Sequence, residues 1–575
     1  MVSIPPHTHK FDLIEATAAD VLAGTDSTKI VTPSAISAIR PPDYDTFALA
    51  AAASINAVVQ AVRTNGRDAI GDGGGADFKR AASQPSHHLK FIDALGQWWE
   101  VSNLWISPRM YGAKPDGSNS TDALLQMVAD PFTKIDWGYG EYVTTDTLIE
   151  SKPNVTWRGN ATLRMDLTAQ TAKNLVRSTQ SATGFKILSG MTFDHNAEGI
   201  PSPLFVQQLA VSITDCILIM GNDSEVDCVV NNAYGNGVSF GDFTFSGDGS
   251  VAHPYDATTT PYYPVRCRFG RIYGTNNGCG DAAGGQFGEV GKKGSVVNIL
   301  SASGVCGNYV GGSHNYGGFI VDYASGADCT VGMVSFTNTL IDATHPFNGS
   351  GIAVSIQGQC SIGTLHSSNA QRAGVAVPFE FSDLHVGTAF IWASQQQGVL
   401  VSAGKISGQF NIGNCSLGNV GVLNAFDVNA SGDVQLQVDI NVYGNTHAFG
   451  YYGNPNGHVI SGKVNLIDNN GVLDRFSTTG KEFVTASMKS GLPGQQLAGA
   501  VLIGGGAMVQ STTSYLQVQD SITLKKGFAQ PAYCYNLVWD FSNWRYVGNG
   551  AGAYLKMQSD GTIVRGRAPL ASPVR

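Results

Sequence analysis

The amino-acid sequence predicts an all-β fold, a right-handed parallel β-helix, on three observations. Glycine is abundant, at 70 of 575 residues, and it stands among Val, Ile, Asn, Ser and Thr. That mixture is typical of strands joined by tight turns. From about residue 150 to 480, short apolar runs alternate with Gly, Asn, Asp or Ser, and long helical periodicity is absent. The later runs recur about every 25 residues, which is the length of one β-helix coil with three short strands.

Stacking explains why such a repeat folds. A single coil cannot bury its apolar face, whereas stacked coils share one continuous core. Asn residues near the ends of the runs tolerate tight turns and could pair with an Asn in the next coil. These are Asn308, Asn338, Asn369, Asn419 and Asn445. A β-propeller is the rival fold, but its blades need about 40–45 residues each. The repeated runs are CTVGMVSF at 329–336, CSIGTLHS at 360–367, LHVGTAFI at 384–391, FNIGNCSL at 410–417, VDINVYGN at 438–445 and VNLIDNNG at 464–471.

Composition excludes several functional classes. Hydrophobic residues make up 43% of the chain and charged residues 14%, and the net charge is −9 without a Lys/Arg run, so we expect no nucleic-acid partner. An acidic surface also repels polyanionic glycans unless a groove is locally basic. The nine Cys include no CxxC pair and predict buried free thiols. The N-terminus does not resemble a secretory signal, and no apolar stretch is long enough to span a membrane.

Changes in composition along the chain predict five segments. Residues 1–44 form a leader with Pro-rich edges, and residues 45–68 read as a short helix that could join three chains. Residues 69–104 predict a small β module, residues 105–480 the β-helix, and residues 481–575 a β-sandwich-like cap that covers the last coil. Within residues 45–68 the helix is predicted over 45–63, from an apolar stripe of Ala48, Ala51, Ile55, Val58 and Val62.

One resemblance concerns the fold. The segment RMYGAKPDGSNSTDALLQ at 109–126 resembles the opening of the pectate-lyase-like β-helix superfamily, although Pro115 and Ser120 depart from its common form. GMTFDHN at 190–196 and NNAYGNG at 231–237 resemble later coils of the same superfamily. The resemblance implies a capping helix near the first segment and a β-helix after it. It implies little about activity.

A second resemblance concerns the biological role of the protein. The leader segment EATAADVLAGTDS at 15–27, followed by KIVTP at 29–33, resembles phage tail-fibre proteins. Residues 71–100 resemble a module found before β-helices in prophage spikes. These resemblances imply a homotrimeric tailspike in the virion, attached to tail or baseplate proteins through its N-terminus. Such spikes bind capsule, exopolysaccharide or lipopolysaccharide of the host, and many act as depolymerases. We expect synthesis in the host cytoplasm and release by lysis.

His7 and His9 form the most specific small motif. Side chains at positions i and i+2 of a strand point to the same side. Three chains on a threefold axis would bring six imidazoles together, which suits Fe or Zn. Similar HxH sites are known in phage tail fibres. A solvated dipeptide without a metal is the alternative.

Cleavage of a glycan by hydrolysis needs two carboxylates that flank the scissile bond. Residues one coil apart stack about 4.8 Å apart, so a β-helix can build such pairs from distant positions. The acidic region around residues 194–227 supplies the candidate catalytic residues Asp194, Asp215, Asp223 and Glu225. A polysaccharide lyase would instead use a basic residue, with Ca²⁺ held by carboxylates such as Asp223, Glu225 and Asp227.

Aromatic and His side chains along the rod could stack on sugar rings. The candidates for substrate binding are His314, Tyr316, Tyr323 and Trp392, with packing as the alternative role for each. The resemblances therefore favour a receptor-binding tailspike that binds and cleaves surface polysaccharide. A non-catalytic adhesin or structural baseplate spike of the same fold remains an alternative, because fold alone does not decide activity. A secreted cellular polysaccharide lyase or polygalacturonase is the third.

Overall fold

The computed structural model describes most of the chain in detail, and in its C-terminal part only strands. The described ranges are 14–17, 20–21, 29–32, 41–166, 174–196, 215–241, 264–278, 294–299, 302–321, 328–340, 351–415, 425–430 and 432–444, with the strands named below from residue 449 onward. The chain divides into two units, Met1–Val143 and Thr144–Arg575.

The first unit contains a small five-stranded sheet in the order β1-β2-β3-β5-β4. Trp99 and Phe78 are fully buried in its core, and the Trp99 indole nitrogen donates a hydrogen bond of 3.0 Å to Asp93. The sheet takes strands from three of the predicted segments, 1–44, 45–68 and 69–104, so the predicted boundaries at residues 44 and 68 fall inside one module. The strands are β1 (Asp43–Tyr44), β2 (Ala61–Thr64), β3 (Asp77–Ala81), β4 (Lys90–Ile92) and β5 (Trp98–Val101).

The predicted helix over residues 45–63 is wrong in its extent. Helix α1 covers only Phe47–Ala52, and Thr46 caps it by accepting a hydrogen bond from the Leu49 backbone. The apolar stripe then changes structure, because Ala61–Thr64 forms β2 and pairs with both β1 and β3. Val62 is 1% exposed in the core of this sheet. Pairing with two strands therefore makes residues 61–64 a strand, although the spacing of their apolar residues favours a helix. A helix of six residues is too short to hold three chains together by itself.

The motif at 109–126 builds a compact corner. A 3₁₀ helix (Pro108–Tyr111) ends at Gly112, whose φ of 92° is left-handed. The Tyr111 hydroxyl donates to Asp130 at 2.8 Å, and the His88 backbone donates to the same carboxylate at 2.8 Å. Strand β6 (Asp116–Asn119), helix α2 (Thr121–Ala129) and strand β7 (Lys134–Thr144) follow. Helix α2 lies where the family resemblance implied a helix.

The second unit consists mainly of two long parallel sheets that the chain visits in turn. One sheet holds eleven short strands, each paired in parallel with the next. In chain order these are β8 (Leu148–Glu150), β10 (Val176–Ser178), β13 (Ile217–Ile219), β15 (Val238–Phe240), β17 (Val297–Ile299), β19 (Gly317–Val321), β21 (Ile352–Ile356), β23 (Ala373–Val377), β25 (Gln397–Val401), β27 (Phe426–Ala430) and β29 (Phe449–Gly453).

The other sheet holds the longer strands, which alternate with the short ones along the chain. The chain alternates between two parallel sheets, and each new strand pairs with the previous strand of the same sheet. Such a chain winds in coils. This arrangement confirms the predicted parallel β-helix. The long strands are β9 (Thr156–Met165), β11 (Lys186–Ile187), β12 (Thr192–Asp194), β14 (Glu225–Asn231), β16 (Arg268–Thr275), β18 (Val305–Ser313), β20 (Asp328–Thr337), β22 (Gln359–Ser368), β24 (Asp383–Trp392), β26 (Gly404–Gly413), β28 (Val434–Tyr443) and β30 (Val459–Ile467).

A stack of glycines bends the long strands. Gly332, Gly363 and Gly387 occupy corresponding positions of β20, β22 and β24, where the paired register is interrupted. The inward–outward alternation slips there, because Gly363 and Thr364 both face outward. A Cβ atom on Gly363 would lie 2.6 Å from the Gly332 carbonyl oxygen. Strands β20, β22 and β24 therefore each supply two short faces to the coil, in agreement with the predicted three strands per coil.

An Asn ladder marks the turn that follows several of the long strands. Asn232, Asn276, Asn338 and Asn369 all have φ between 51° and 57°. The Asn276 amide donates to Asn232 at 2.9 Å, and the Asn369 amide donates to Asn338 at 3.1 Å. Asn tolerates this left-handed conformation better than most residues. The ladder was predicted correctly at Asn338 and Asn369, whereas Asn308 lies inside β18. Asn419 and Asn445 lie outside the described residues.

The register corrects part of the predicted repeat. The runs that begin at 329 and 360 are in register, because Cys329 pairs with Cys360. The run FNIGNCSL at 410–417 is misplaced, since Phe410 pairs with Ala389 and the partner of LHVGTAFI is the segment from Ile406. The coil length also varies, because the turns that connect the paired strands differ in length.

Residues beyond the β-helix form further strands. Six make a mostly antiparallel sheet and two make a hairpin. A predicted β-rich C-terminal segment is thus observed, while its role as a cap stays a prediction. The strands are β31 (Val501–Ile503), β32 (Tyr515–Val518), β33 (Ile522–Lys525), β34 (Ala532–Tyr535), β35 (Leu537–Trp539), β36 (Trp544–Tyr546), β37 (Ala553–Met557) and β38 (Ile563–Arg567). None of the helices in the described ranges has the length and apolarity that a membrane crossing requires.

The Asn ladder gives a stability prediction. Asn338→Ala should lower the free energy of unfolding by about 1–3 kcal/mol, because Ala loses the ladder hydrogen bonds and strains the left-handed backbone. Asn338→Gly keeps the backbone conformation and should cost less. Denaturant unfolding monitored by circular dichroism would check the order wild type, Gly, Ala. An Ala variant as stable as the wild type would contradict a structural role for the ladder.

Candidate functional site

The candidate site lies on the outward face of strands β11, β14, β16 and β18. Side chains in β14 alternate, so that Val226, Cys228 and Val230 are buried while the residues between them face outward. We call this surface the charged patch. It consists of Lys186, Glu225, Asp227, Arg268, Arg271, Tyr273 and Tyr309.

Glu225 lies between two cations on neighbouring strands. In the sheet it pairs with Lys186 on one side and Arg268 on the other. The Lys186 ammonium is 3.2 Å from the Glu225 carboxylate, and both side chains are partly exposed. Glu225 is thus a carboxylate with a cationic partner and access to solvent.

Asp227 has a different environment two residues further along β14. The register between β14 and β16 shifts here, so that Asp227 lies beside Gly270 and Arg271. A Cβ atom on Gly270 would lie 2.4 Å from a carboxylate oxygen of Asp227, which shows that the carboxylate covers this glycine. Desolvation by burial raises the pKa of Asp227 above its ordinary value, and the charge of Glu225 adds to this; the backbone N–H and the charge of Arg271 oppose it.

Aromatic rings flank the same position. The Arg271 guanidinium lies 5.5 Å from the ring centroid of Tyr273 and 5.7 Å from that of Tyr309. These distances suit cation–π contacts. The two tyrosines are half-buried, so part of each ring faces solvent beside Arg271. Flat rings next to hydrogen-bonding groups are suited to bind sugars.

The arrangement can perform acid–base chemistry. A carboxyl group with a raised pKa keeps its proton at higher pH, as a general acid must. Glu225 and Asp227 are two residues apart on the same face, so their Cα atoms are separated by about 6.6 Å.

Of the four predicted catalytic residues, only Glu225 lies in the charged patch. Asp215 is fully buried before β13 and accepts hydrogen bonds from the Asn236 backbone and amide at 2.9 and 3.0 Å. Asp194 accepts from the Asn232 amide at 3.0 Å and belongs to the Asn ladder. These positions favour structural roles, since Asp215 has no surface with which to contact a substrate.

Asp223 is an exposed turn residue with a φ of 56°. Arg266 donates two hydrogen bonds of 2.8 Å to its carboxylate, and these lower the pKa of Asp223. A carboxylate held in its ionised form is unsuited to donate a proton. The structure thus does not favour the predicted role of Asp223 as a catalytic acid.

The three predicted substrate-binding residues that the structure describes do not form one cluster. His314 occupies a ladder position with a φ of 58°, and its Nε2 is 3.5 Å from the Asn338 amide. Tyr316 is half-buried, and its backbone bonds to Asn277. Trp392 is 48% exposed at the end of β24. Tyr323 lies outside the described residues.

The predicted metal ligands His7 and His9 also lie outside the described residues. Within the described ranges, no group of three or more His, Cys, Asp and Glu side chains is arranged to hold a metal ion. The Ca²⁺ alternative for Asp223, Glu225 and Asp227 is not favoured, because Arg266 pairs with Asp223 and Lys186 pairs with Glu225. The predicted free thiols are observed at seven positions, all buried except Cys306.

Sequence reasoning placed Asp227 in the acidic region but did not choose it as a catalytic candidate, and it missed Arg271, Tyr273 and Tyr309 altogether. The alternation of Glu225, Val226, Asp227 and Cys228 is a signal for two acidic residues on one outward face. Nothing in the sequence shows that β16 and β18 lie beside β14. Residues 232–267 and 276–304 separate these strands along the sequence, which hides the pairing.

Comparisons with known proteins find likeness in structure only. No protein-family model matches the sequence, and no curated protein matches it. Full-length tailspike protein 2 from Escherichia coli O157:H7 bacteriophage CAB120 is 12% identical with a TM-score of 0.43, over 96% of this chain and 74% of that chain. The Acinetobacter phage vb_AbaP_AS12 gp42 tailspike is 10% identical with a TM-score of 0.43, over 92% of this chain and 91% of that chain.

A third similar structure comes from a bacterium. Pantoea stewartii WceF, described as a glycan biofilm modifying enzyme with a tailspike-like parallel β-helix fold, is 9% identical with a TM-score of 0.27, over 92% of this chain and 66% of that chain. At these TM-scores the likenesses carry no argument about function. The parallel β-helix follows from the strand pairing of this chain itself.

The opposite pKa shifts of two aspartates give a pH prediction. A carboxyl whose pKa is raised on folding stabilises the fold below its unfolded pKa, and this stability is lost as the pH rises through the folded value. Asp227→Asn should therefore gain stability relative to the wild type as the pH increases above about 4. Unfolding midpoints measured between acidic and neutral pH would check this.

Asp223→Asn is the matched control. Its pKa is lowered on folding, so its contribution is present above the unfolded pKa and is lost as the pH falls. The Asn variant should therefore lose stability relative to the wild type at neutral pH. Equal pH profiles for the two variants would rule out the different environments described for Asp227 and Asp223.

Proposed function

We propose that this chain is a virion tailspike whose β-helix binds and cleaves bacterial surface polysaccharide at the charged patch. The observation that carries the proposal is the pair Asp227 and Glu225, which occupy one outward face in unlike environments. Asp227 has a raised pKa and Glu225 has a cationic partner. Two such carboxyl groups are what glycoside hydrolysis requires.

In the proposed reaction Asp227 is the general acid. Its proton goes to the glycosidic oxygen as the bond to the anomeric carbon breaks. Glu225 accepts a proton from the water that attacks the same carbon, as in an inverting mechanism. Lys186 orients Glu225, and the Tyr273 and Tyr309 rings hold the sugar on either side of Arg271.

The place of the protein in the virion is supported by the sequence. The leader resembles phage tail-fibre segments, and the β-helix follows a small sheet module as it does in prophage spikes. We propose a homotrimer, attached to tail or baseplate proteins through the N-terminus and released with virions. In that trimer His7 and His9 of three chains would bind Fe or Zn.

Catalysis is tested by substitution in the charged patch. Purified protein is incubated with surface polysaccharides of candidate hosts, and reducing ends are measured together with the ultraviolet absorbance of unsaturated uronic acids. Asp227→Asn and Glu225→Gln should each lower the rate of reducing-end release about 100-fold or more, because each removes an acid–base group. Asp223→Asn is the control and should retain activity.

The outcomes distinguish the alternatives. Product that absorbs in the ultraviolet would indicate a lyase and contradict the hydrolytic roles of Asp227 and Glu225. Binding of a polysaccharide without any product would favour the non-catalytic adhesin. If Asp223→Asn alone lost activity, Asp223 would be the catalytic residue, and the roles proposed for Asp227 and Glu225 would be wrong.

The proposed assembly has its own test. Light scattering of the full chain, which has a mass of 60.5 kDa, should give three times that mass. Metal analysis should then find Fe or Zn that is lost in a His7→Ala, His9→Ala variant. A monomer would contradict the trimeric spike and remove the basis for the six-imidazole site.

A further inference from the structure

A second outward surface of the β-helix has a different chemistry from the charged patch. It lies beyond the glycine stack on strands β20, β22, β24 and β26, and we call it the uncharged face. Beyond the glycine stack, none of the outward residues on these four strands, all of which the structure describes, is Asp, Glu, Lys or Arg. They are Met333, Ser335, Thr337, Thr364, His366, Ser368, Thr388, Phe390, Trp392, Gln409, Asn411 and Gly413.

Three aromatic rings lie on the uncharged face. His366 and Phe390 stack with ring centroids 5.0 Å apart and planes 17° from parallel. Phe390 and Trp392 are 46% and 48% exposed. A Cβ atom on Gly413 would lie 2.0 Å from the six-membered ring of Trp392, so the indole covers this glycine. The absence of a side chain at Gly413 lets the indole lie over the next strand.

The composition of this face matches an uncharged sugar chain. The C–H faces of sugars pack on aromatic rings, and their hydroxyl groups exchange hydrogen bonds with Ser, Thr, Asn and Gln. A carboxylate or amine on the ligand would find no countercharge among these residues. Arg, which is enriched in protein–protein interfaces together with aromatic residues, is also absent from the described face.

Register connects this face to the charged patch. Tyr273 pairs with Gly311, Gly311 with Ser335, Ser335 with His366, and His366 with Phe390. The line crosses four inter-strand spacings, so Tyr273 and Phe390 are about 19 Å apart. Of the three positions between them, Gly311 and Ser335 have little or no side chain, and His366 stacks on Phe390. A glycan could therefore run along the strand-stacking direction from one surface to the other.

We propose that the uncharged face is a second glycan-binding surface, in which Phe390 and Trp392 bind neutral sugar residues of the polysaccharide held at the charged patch. This inference rests on the proposed function. The uncharged face contains none of the reacting carboxyl groups. It should therefore contribute to the affinity for the polysaccharide and not to the rate of the chemical step.

Affinity electrophoresis tests the proposal. Full-length wild-type protein and variants are run in gels that contain purified capsular polysaccharides or lipopolysaccharide O-chains of known composition. Trp392→Ala and Phe390→Ala should each raise the dissociation constant about tenfold, as expected for exposed aromatic anchors. The rate of cleavage at saturating polysaccharide should stay unchanged. Light scattering of each variant should give the wild-type mass.

A matched control uses another exposed aromatic pair. Phe379 and Phe381 stack at 5.7 Å, are 43% and 48% exposed, and precede β24 instead of lying in the uncharged face. Phe379→Ala and Phe381→Ala should leave retention unchanged. Undiminished retention of Trp392→Ala and Phe390→Ala would overturn the inference, and so would a lower mass, since that would make the face an interface between copies. Failure of the wild type to bind any polysaccharide would instead reject the proposed function.

Discussion

Parallel pairing of each coil with the next is the constraint on which the rest of the structure depends. Every long strand from β14 to β28 exchanges backbone hydrogen bonds with the strands before and after it in the sheet. Because side chains alternate in a strand, this register decides at once which residues enter the core and which face solvent. Columns of Val, Ile, Leu and Phe result on the inside, as at Val334, Leu365 and Phe410.

The same constraint creates functional surfaces. Residues that are far apart in sequence become neighbours at strand spacing, so Lys186, Glu225 and Arg268 form one row. Chemistry then varies along the stacked strands. Charges and tyrosines cluster on β14 to β18, whereas hydroxyl, amide and aromatic groups follow on β20 to β26. A long polymer is the kind of ligand that can contact both surfaces at once.

The fold was predictable because stacking repeats one simple pattern. Runs such as 329–336 and 360–367 show the period directly, and Asn338 and Asn369 show the turn. The helix over 45–63 was overpredicted because the pairing of β2 with two neighbours cannot be seen in local spacing. The repeat was misaligned at 410–417 because the coil length changes between strands.

The site was less predictable than the fold. The sequence locates acidic residues near 215–227, but it does not show their different environments. Asp215 is buried, and Asp223 is paired with Arg266. Only the partner strand shows that Asp227 covers Gly270 and lies next to Arg271. Trp392 was identified as a possible sugar contact, yet its companions Phe390 and His366 required the register.

Cross-linking between coils tests the register most directly. The Ser368 hydroxyl lies 3.3 Å from the Thr337 hydroxyl on the neighbouring strand, so a Thr337→Cys, Ser368→Cys variant in a Cys306→Ser background should form a disulfide under mild oxidation. A Thr337→Cys, His366→Cys variant is displaced by two residues and should not. Mass spectrometry of the digested protein would show the linked peptides. A cross-link in the displaced pair and none in the matched pair would contradict the stacked β-helix described here.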